Sequence, residues 1–167
     1  MRVSITFVFH LLSIGTLMTT LVAGFILDRK IRREPDIHLK IYTAGLSKSI
    51  GLLSPVAAIL LLLTGIANIH NRFLGYPSEW YSEGWLVAKI ILYAVMVFNG
   101  MFYGPGLMRG RLKVLRSQAE QSAPTNADSQ IRSYNTQITL FYAVQIMLFL
   151  LIVYISVFGT AKHPGAI

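Results

Sequence analysis

Four long apolar stretches separated by polar segments dominate the hydrophobic pattern of this 167-residue chain. They cover residues 3–27, 49–70, 85–106 and 138–158, and they contain no charged residue except Lys89. An α-helix needs about 20 apolar residues to cross the roughly 30 Å hydrocarbon core of a bilayer. The pattern therefore predicts an all-α integral membrane protein, a single domain over residues 1–167 built from four transmembrane helices.

The basic residues predict the orientation of these helices. Eleven lysines and arginines lie in the connecting segments 28–48 and 107–137, against three in the N-terminus, the middle loop and the C-terminal tail. Because short cytoplasmic segments are enriched in Lys and Arg, we expect these two segments in the cytoplasm. The prediction is an antiparallel bundle with both termini outside. The net charge of +8 is then a topology signal, and we expect no nucleic-acid partner.

The connecting segments carry weaker structural signals. Residues 38–48 could form an amphipathic helix that leads into the second span, and the polar run 117–130 is typical of a linker. Gly104-Pro105-Gly106 should end the third helix, because a proline removes a backbone donor and its ring clashes with the preceding turn.

Small and polar residues recur at spacings of three and four in every span, which places them on one face of each helix. Since lipid offers polar groups no hydrogen-bond partners, we expect these faces to meet inside the bundle, mostly as packing contacts. The four faces are Thr6, His10, Ser13, Leu17, Thr20 and Gly24; Ser54, Ala58, Leu61, Gly65 and Asn68; Lys89, Tyr93, Met96, Gly100 and Tyr103; and Tyr142, Gln145, Phe149, Ile152 and Ser156.

Two ionisable side chains on these faces, His10 and Lys89, are the first candidates for a functional site, because such groups are costly within a membrane. A rise of about 1.5 Å per residue puts both at a similar depth, in the outer half of the bundle. His10 either ligates haem iron or forms a hydrogen bond across the bundle. Lys89 either snorkels to the headgroups, pairs with Glu83 or Glu79, or meets an anionic ligand such as a porphyrin carboxylate.

His70 is a weaker candidate for a second ligand. It aligns with Ile59, Leu63 and Ile66, a row expected to face lipid, and it lies near the end of its helix. We therefore interpret His70 as an interfacial histidine. The chain has no cysteine, which excludes disulfides and thiolate metal sites, and its methionines form no cluster of the kind that binds copper(I).

Three short motifs give the chain a family resemblance. Phe-Val-Phe-His10-Leu-Leu-Ser-Ile-Gly-Thr, Leu-Leu-Leu-Thr64-Gly65 and Gly-Trp85-Leu-Val-Ala-Lys89 resemble an uncharacterised family of four-helix integral membrane proteins. That family is related to the HemJ-type protoporphyrinogen oxidases and to the membrane domain of CopD. The resemblance implies haem b, with His10 at the family's first-helix histidine and Lys89 at its third-helix lysine, and a bacterial inner membrane. Where a HemJ-type third helix carries a second histidine, this chain has Asn99-Gly100.

Three functions follow as hypotheses. The first is a haem-binding redox protein, of the HemJ-like oxidoreductase type that the resemblance implies, in which His10 ligates the iron and Lys89 holds a propionate. Tyr93 or Gln145 would then contribute a hydrogen bond near the cofactor. The second is a non-catalytic subunit or assembly partner of a larger membrane complex, or a homo-oligomer, with polar faces that only pack. The third is transport of copper or a small solute, which the absence of carboxylates within the spans disfavours.

Overall fold

The computed structural model describes residues 5–72, 80–122 and 124–161, which form helices joined by short turns and contain no strand. A 3-10 turn at Trp80–Ser82 precedes α4, and a π-turn at Asn99–Tyr103 joins α4 to α5. The helices are α1 (Ile5–Arg33), α2 (Ile37–Gly51), α3 (Leu53–Arg72), α4 (Gly84–Phe98), α5 (Gly104–Ala119) and α6 (Ala127–Ala161).

These helices form four rods that are long and apolar enough to cross a membrane, as the hydrophobic pattern predicted. The rods are α1, α2 with α3, α4 with α5, and α6. Large apolar side chains cover their outer surfaces, for example Leu63 at 57% exposure and Phe102 at 64%. An apolar outer surface of this kind is unfavourable in water but favourable in the hydrocarbon of a membrane.

The rods pack in a defined order. The first rod, α1, lies against α2 and α3 of the second, and the fourth rod, α6, lies against α4 and α5 of the third. These two pairs of rods meet where α1 contacts α6 and α2 contacts α5. The central core consists of Leu17, Leu21, Ala57, Met96, Leu148, Phe149 and Ile152. A second core, nearer α5, consists of Leu107, Ile138, Phe141 and Tyr142. The central core uses the predicted inward faces of α1 and α6, through Leu17, Phe149 and Ile152, which confirms that part of the periodicity argument. The second core uses the α6 face through Tyr142.

The predicted lead-in at 38–48 forms a separate helix, α2. Asp36 caps it, since its side chain accepts a hydrogen bond of 2.7 Å from the backbone N–H of His38. The break at Leu52 follows from Pro55, because proline has no N–H to continue the α-helical bond to the carbonyl of Gly51. The second apolar stretch is therefore built from two helices rather than from one helix over 49–70.

The prediction that Gly104-Pro105-Gly106 ends the third helix was wrong. In a regular α-helix the Pro105 ring would clash with the carbonyl of Met101. The wider π-turn, in which the N–H of Gly104 bonds to the carbonyl of Asn99, changes the register just before the proline. Pro105 then occupies the first turn of α5, a favourable position, and the rod continues to Ala119.

The other helices also extend past the predicted bounds. α1 continues to Arg33 rather than ending at 27, and α6 begins at Ala127 rather than at 138. The segment 107–137 is consequently mostly helical, and only residues 120–126 connect α5 to α6. The extension has a packing reason, because Leu115 of α5 and Ile138 of α6 are almost fully buried.

Candidate cofactor site

His10 projects from α1 towards α3, where it meets Thr64. The two side chains lie together because the inward faces of α1 and α3 pack along their length, and the distance from His10 Nδ1 to Thr64 Oγ1 is 2.9 Å. Gly65 lies beside the ring, and a Cβ at that position would be in van der Waals contact with His10 Cε1 at 3.7 Å. The imidazole is half-buried at this contact.

The direction of the His10–Thr64 hydrogen bond follows from the second bond that Thr64 makes. Its hydroxyl donates to the carbonyl of Leu60 at 2.7 Å, which uses its one hydrogen. With the hydroxyl in that orientation, Thr64 Oγ1 accepts from His10, and the proton of a neutral imidazole is assigned to Nδ1. Nε2 then carries the lone pair, which is the arrangement in which a histidine can ligate a metal.

Lys89 on α4 lies close enough to His10 for its charge to act on the imidazole. It is half-buried and has no hydrogen-bond or ion-pair partner among residues 5–72, 80–122 and 124–161. Of the two predicted partners, Glu83 accepts a hydrogen bond of 2.9 Å from the indole of Trp85, and Glu79 lies outside the described residues. The structure thus places the two ionisable candidates within electrostatic range of each other.

Tyr93 and Gln145 connect helices in the described structure. The Tyr93 hydroxyl donates to the carbonyl of Ala58 at 2.5 Å, joining α4 to α3. Gln145 Nε2 donates to the carbonyl of Met96 at 3.1 Å, joining α6 to α4 directly before the π-turn. Gln145 Oε1 is buried without a hydrogen-bond partner in the described part of the chain. Both side chains are oriented by backbone carbonyls.

His70 is exposed on α3, as its predicted position on a lipid-facing row requires. Its neighbours on that row, Ile59, Leu63 and Ile66, are each more than half exposed, and no described contact joins His70 to His10. The interpretation of His70 as an interfacial residue fits this placement better than a role as second ligand.

The donor side chains near His10 can be compared with what a metal ion or a haem requires. Within the described residues, no group of three or more His, Asp or Glu side chains could hold an ion. A haem needs fewer protein donors, because the porphyrin supplies four nitrogens and the protein adds one or two axial ligands. The orientation of His10 by Thr64 meets that requirement for one of them.

Comparison with protein-family models, with curated proteins and with solved structures found no match. The resemblance to the HemJ-related family therefore stays a prediction that rests on the three short motifs. Arguments about function depend on the geometry of His10, Thr64 and Lys89.

One polar cluster was missed by the sequence analysis. Asp28, at the end of α1 opposite His10, is buried with its Oδ1 2.5 Å from Nη1 of the buried Arg111 on α5. The same Nη1 donates to Asn135 Oδ1 of α6 at 3.0 Å, so the cluster joins three helices. Arg32 Nη2 lies 2.5 Å from Asp28 Oδ2 and also donates to the Asn135 carbonyl. Asp28 therefore forms ion pairs with both arginines, of which Arg111 is the more deeply buried.

Proposed function

We propose that this chain is a four-span membrane protein that binds haem b in the half of the bundle containing His10 and has a redox role. The supporting observation is the pair of hydrogen bonds at Thr64, which leaves Nε2 of His10 as a lone-pair donor. A ligand histidine commonly has one tautomer, set by the hydrogen bond of its other nitrogen. A histidine that only forms a hydrogen bond across the bundle would make the same contact with Thr64, so the haem spectra described below decide between the two roles.

Lys89 supplies the second argument. An ammonium group held half-buried among apolar helices without a described counter-charge is unfavourable. A haem carries two propionates, and one of them near Lys89 would provide that counter-charge. Lys89 lies within electrostatic range of His10, the candidate ligand of the iron.

The residues of the chain would hold the cofactor rather than react themselves. When bound, haem supplies one-electron chemistry. His10 would coordinate the iron, Thr64 would keep the imidazole oriented, and the surrounding apolar side chains would exclude water. Gln145 fills the space beside Gly100, where a Cβ would lie 2.7 Å from its Nε2. This chain has Asn99-Gly100 where a HemJ-type protein has a histidine. No residue of the π-turn therefore supports a HemJ-like oxidoreductase activity, which rests on the family resemblance alone.

The proposal includes the bacterial inner membrane, with both termini outside and the basic ends of α1 and α5 in the cytoplasm. The distribution of Lys and Arg supports this orientation. Alkaline carbonate washing of isolated membranes should leave the protein in the membrane fraction. A reporter that is active only outside the cytoplasm should show activity when it is fused to the C-terminus. An inactive fusion would contradict the topology.

Visible spectroscopy tests the haem. The protein, purified in mild detergent from a haem-replete host, is expected to contain near-stoichiometric haem, with a Soret band that shifts and sharpened α and β bands on dithionite reduction. H10A should lose the haem while keeping its helical circular dichroism. T64V should weaken haem affinity by about 10- to 100-fold, because it removes the group that orients the ligand.

The matched control is H70A, which removes an exposed histidine and should leave the spectrum and the haem content unchanged. K89Q should lower haem affinity without moving the absorption bands, because Lys89 would contact a propionate and not the iron. A protein that stays colourless after addition of haem would refute the cofactor proposal and favour a non-catalytic membrane subunit. Retention of haem in H10A would refute the assignment of the ligand.

A further inference from the structure

A basic groove lies on the outer face of α1, at the end of the helix opposite His10. Its lining consists of Ile26, Arg29, Lys30, Arg33 and Glu34. Arg29, Lys30 and Arg33 are exposed, and none of them forms an ion pair within the described residues. Neighbouring Arg32 differs, since it turns inward to Asp28 and Asn135. The helix thus separates an internal, paired arginine from three outward, unpaired cations.

The groove has a net positive charge. Glu34 is the one acidic residue in its lining, and Glu34 Oε1 accepts a hydrogen bond of 3.3 Å from the backbone N–H of Asp36. Three cations against one carboxylate leave an excess of two positive charges. An anion would bind here more favourably than elsewhere on the same helix, whose other exposed residues are mostly apolar.

The surface changes character at this groove. Towards the centre of α1, the exposed side chains are apolar, with Val22 at 38% and Ile26 at 59% exposure. The guanidinium of Arg29 lies over the Phe25 ring, 5.2 Å from its centroid, which anchors the basic side chain next to the apolar surface. A ligand that fits would have a phosphate at one end and hydrocarbon at the other.

We propose that this groove binds the headgroup phosphate of an anionic phospholipid, with an acyl chain lying along Ile26 and Val22. The proposal rests on the membrane insertion included in the proposed function, but not on haem. Clusters of Lys and Arg next to a membrane-spanning helix attract anionic lipids, and each cation strengthens binding about fivefold. Ile26 in the lining favours a lipid over free phosphate, because a free anion would gain nothing from apolar contact.

The test uses the full-length protein in neutral detergent, titrated with phosphatidylglycerol or phosphatidylcholine, with retained lipid counted by native mass spectrometry. The wild type should retain phosphatidylglycerol in preference to phosphatidylcholine. The triple variant R29Q/K30Q/R33Q should bind phosphatidylglycerol about one hundred-fold more weakly. The control R109Q/K113Q/R116Q removes the same charge from exposed positions on α5 and should bind within about threefold of wild type.

Each alternative gives a distinct result. Equal weakening in the two triple variants would overturn the site and indicate only a general charge effect. If millimolar inorganic phosphate displaced phosphatidylglycerol, and phosphatidylglycerol bound no better than phosphatidylcholine, the lipid would be overturned as the occupant. Carbonate extraction of both variants reports on membrane insertion, and their haem spectra report on the cofactor. A failure of the lipid site is therefore distinguishable from a failure of the proposed function.

Discussion

Replacing Asp28 with Asn tests whether the buried ion pair holds α1 and α5 together. Asp28 is 2% exposed and Arg111 is 4% exposed, and Asp28 Oδ1 lies 2.5 Å from Arg111 Nη1. Asparagine has nearly the same shape as aspartate, so D28N removes the charge with little change in packing. The Arg111 guanidinium would then stay buried, with Asn135 Oδ1 as its remaining side-chain acceptor.

The expected loss follows from the burial of Arg111. Removing one partner of a buried ion pair costs about 3–5 kcal/mol, because the remaining charge has neither water nor a counter-ion. Removing both charges costs much less, and replacement by apolar residues of similar volume is often neutral or stabilising. We expect D28N to lower the free energy of unfolding by about 3 kcal/mol, and the double variant D28L/R111M to be more stable than D28N.

Unfolding in mixed micelles of neutral detergent and dodecyl sulfate, followed by far-ultraviolet circular dichroism, measures these differences. R109Q is the control, because it removes an exposed guanidinium from the same helix and should change stability by about 0.5 kcal/mol or less. A loss below about 1 kcal/mol in D28N would refute the reasoning. A double variant less stable than D28N would refute it as well, since it would show that the cost arises from shape rather than from charge.

The same titration checks the close helix contacts. G24A should lose about 1–3 kcal/mol, because the new Cβ would lie 2.5 Å from the Tyr142 hydroxyl oxygen and force the ring to move. G15A should be neutral or stabilising by up to about 1 kcal/mol, since nothing lies within 4 Å of its Cβ position and alanine favours the helix. Y93F should lose about 1 kcal/mol with the hydrogen bond to the Ala58 carbonyl, and its haem spectrum should match that of the wild type.

The sequence was sufficient for the spans and for most inward faces, because both depend on local periodicity. The burial of Asp28 was not predicted, and the reason is physical. Asp28 continues the α1 face four residues after Gly24, but the predicted span ended at this first charge. Hydropathy assigns a charged residue to water, and only tertiary contacts reveal that Arg111 neutralises it. Extending the periodicity by one turn would have indicated that Asp28 points inward.

The π-turn before Pro105 could not be predicted in the same way. The rule that proline ends a helix considers the local backbone, whereas the rod here is continued by packing against α6. A Cβ at Gly104 would lie 2.4 Å from the Phe141 ring, so the two helices approach as closely as a glycine permits. Such a contact depends on residues distant in the chain, and it can offset the cost of an irregular turn.

At the candidate site, two ionisable residues could be identified from the sequence, but their protonation could not. His10 and Lys89 were identified because each is an ionisable residue in an apolar span. Thr64 was visible only as part of a motif, and its effect depends on a rotamer in which the hydroxyl donates to the Leu60 carbonyl. A different rotamer could donate to His10 Nδ1 and place the imidazole proton on Nε2, which would prevent ligation through that atom.

The two ends of the bundle differ in whether their inward charged side chains are paired. At one end, Asp28 and Arg111 neutralise each other inside the bundle, so a ligand buried between the helices would gain little there. About 27 Å away, by the rise of α1 over 18 residues, Lys89 has no described counter-charge and His10 has an available lone pair. A buried cation beside a neutral donor favours a ligand that is both anionic and able to accept coordination. A metal complex with carboxylates meets both conditions, whereas a bare cation would be repelled by Lys89 and a simple anion would gain nothing from His10.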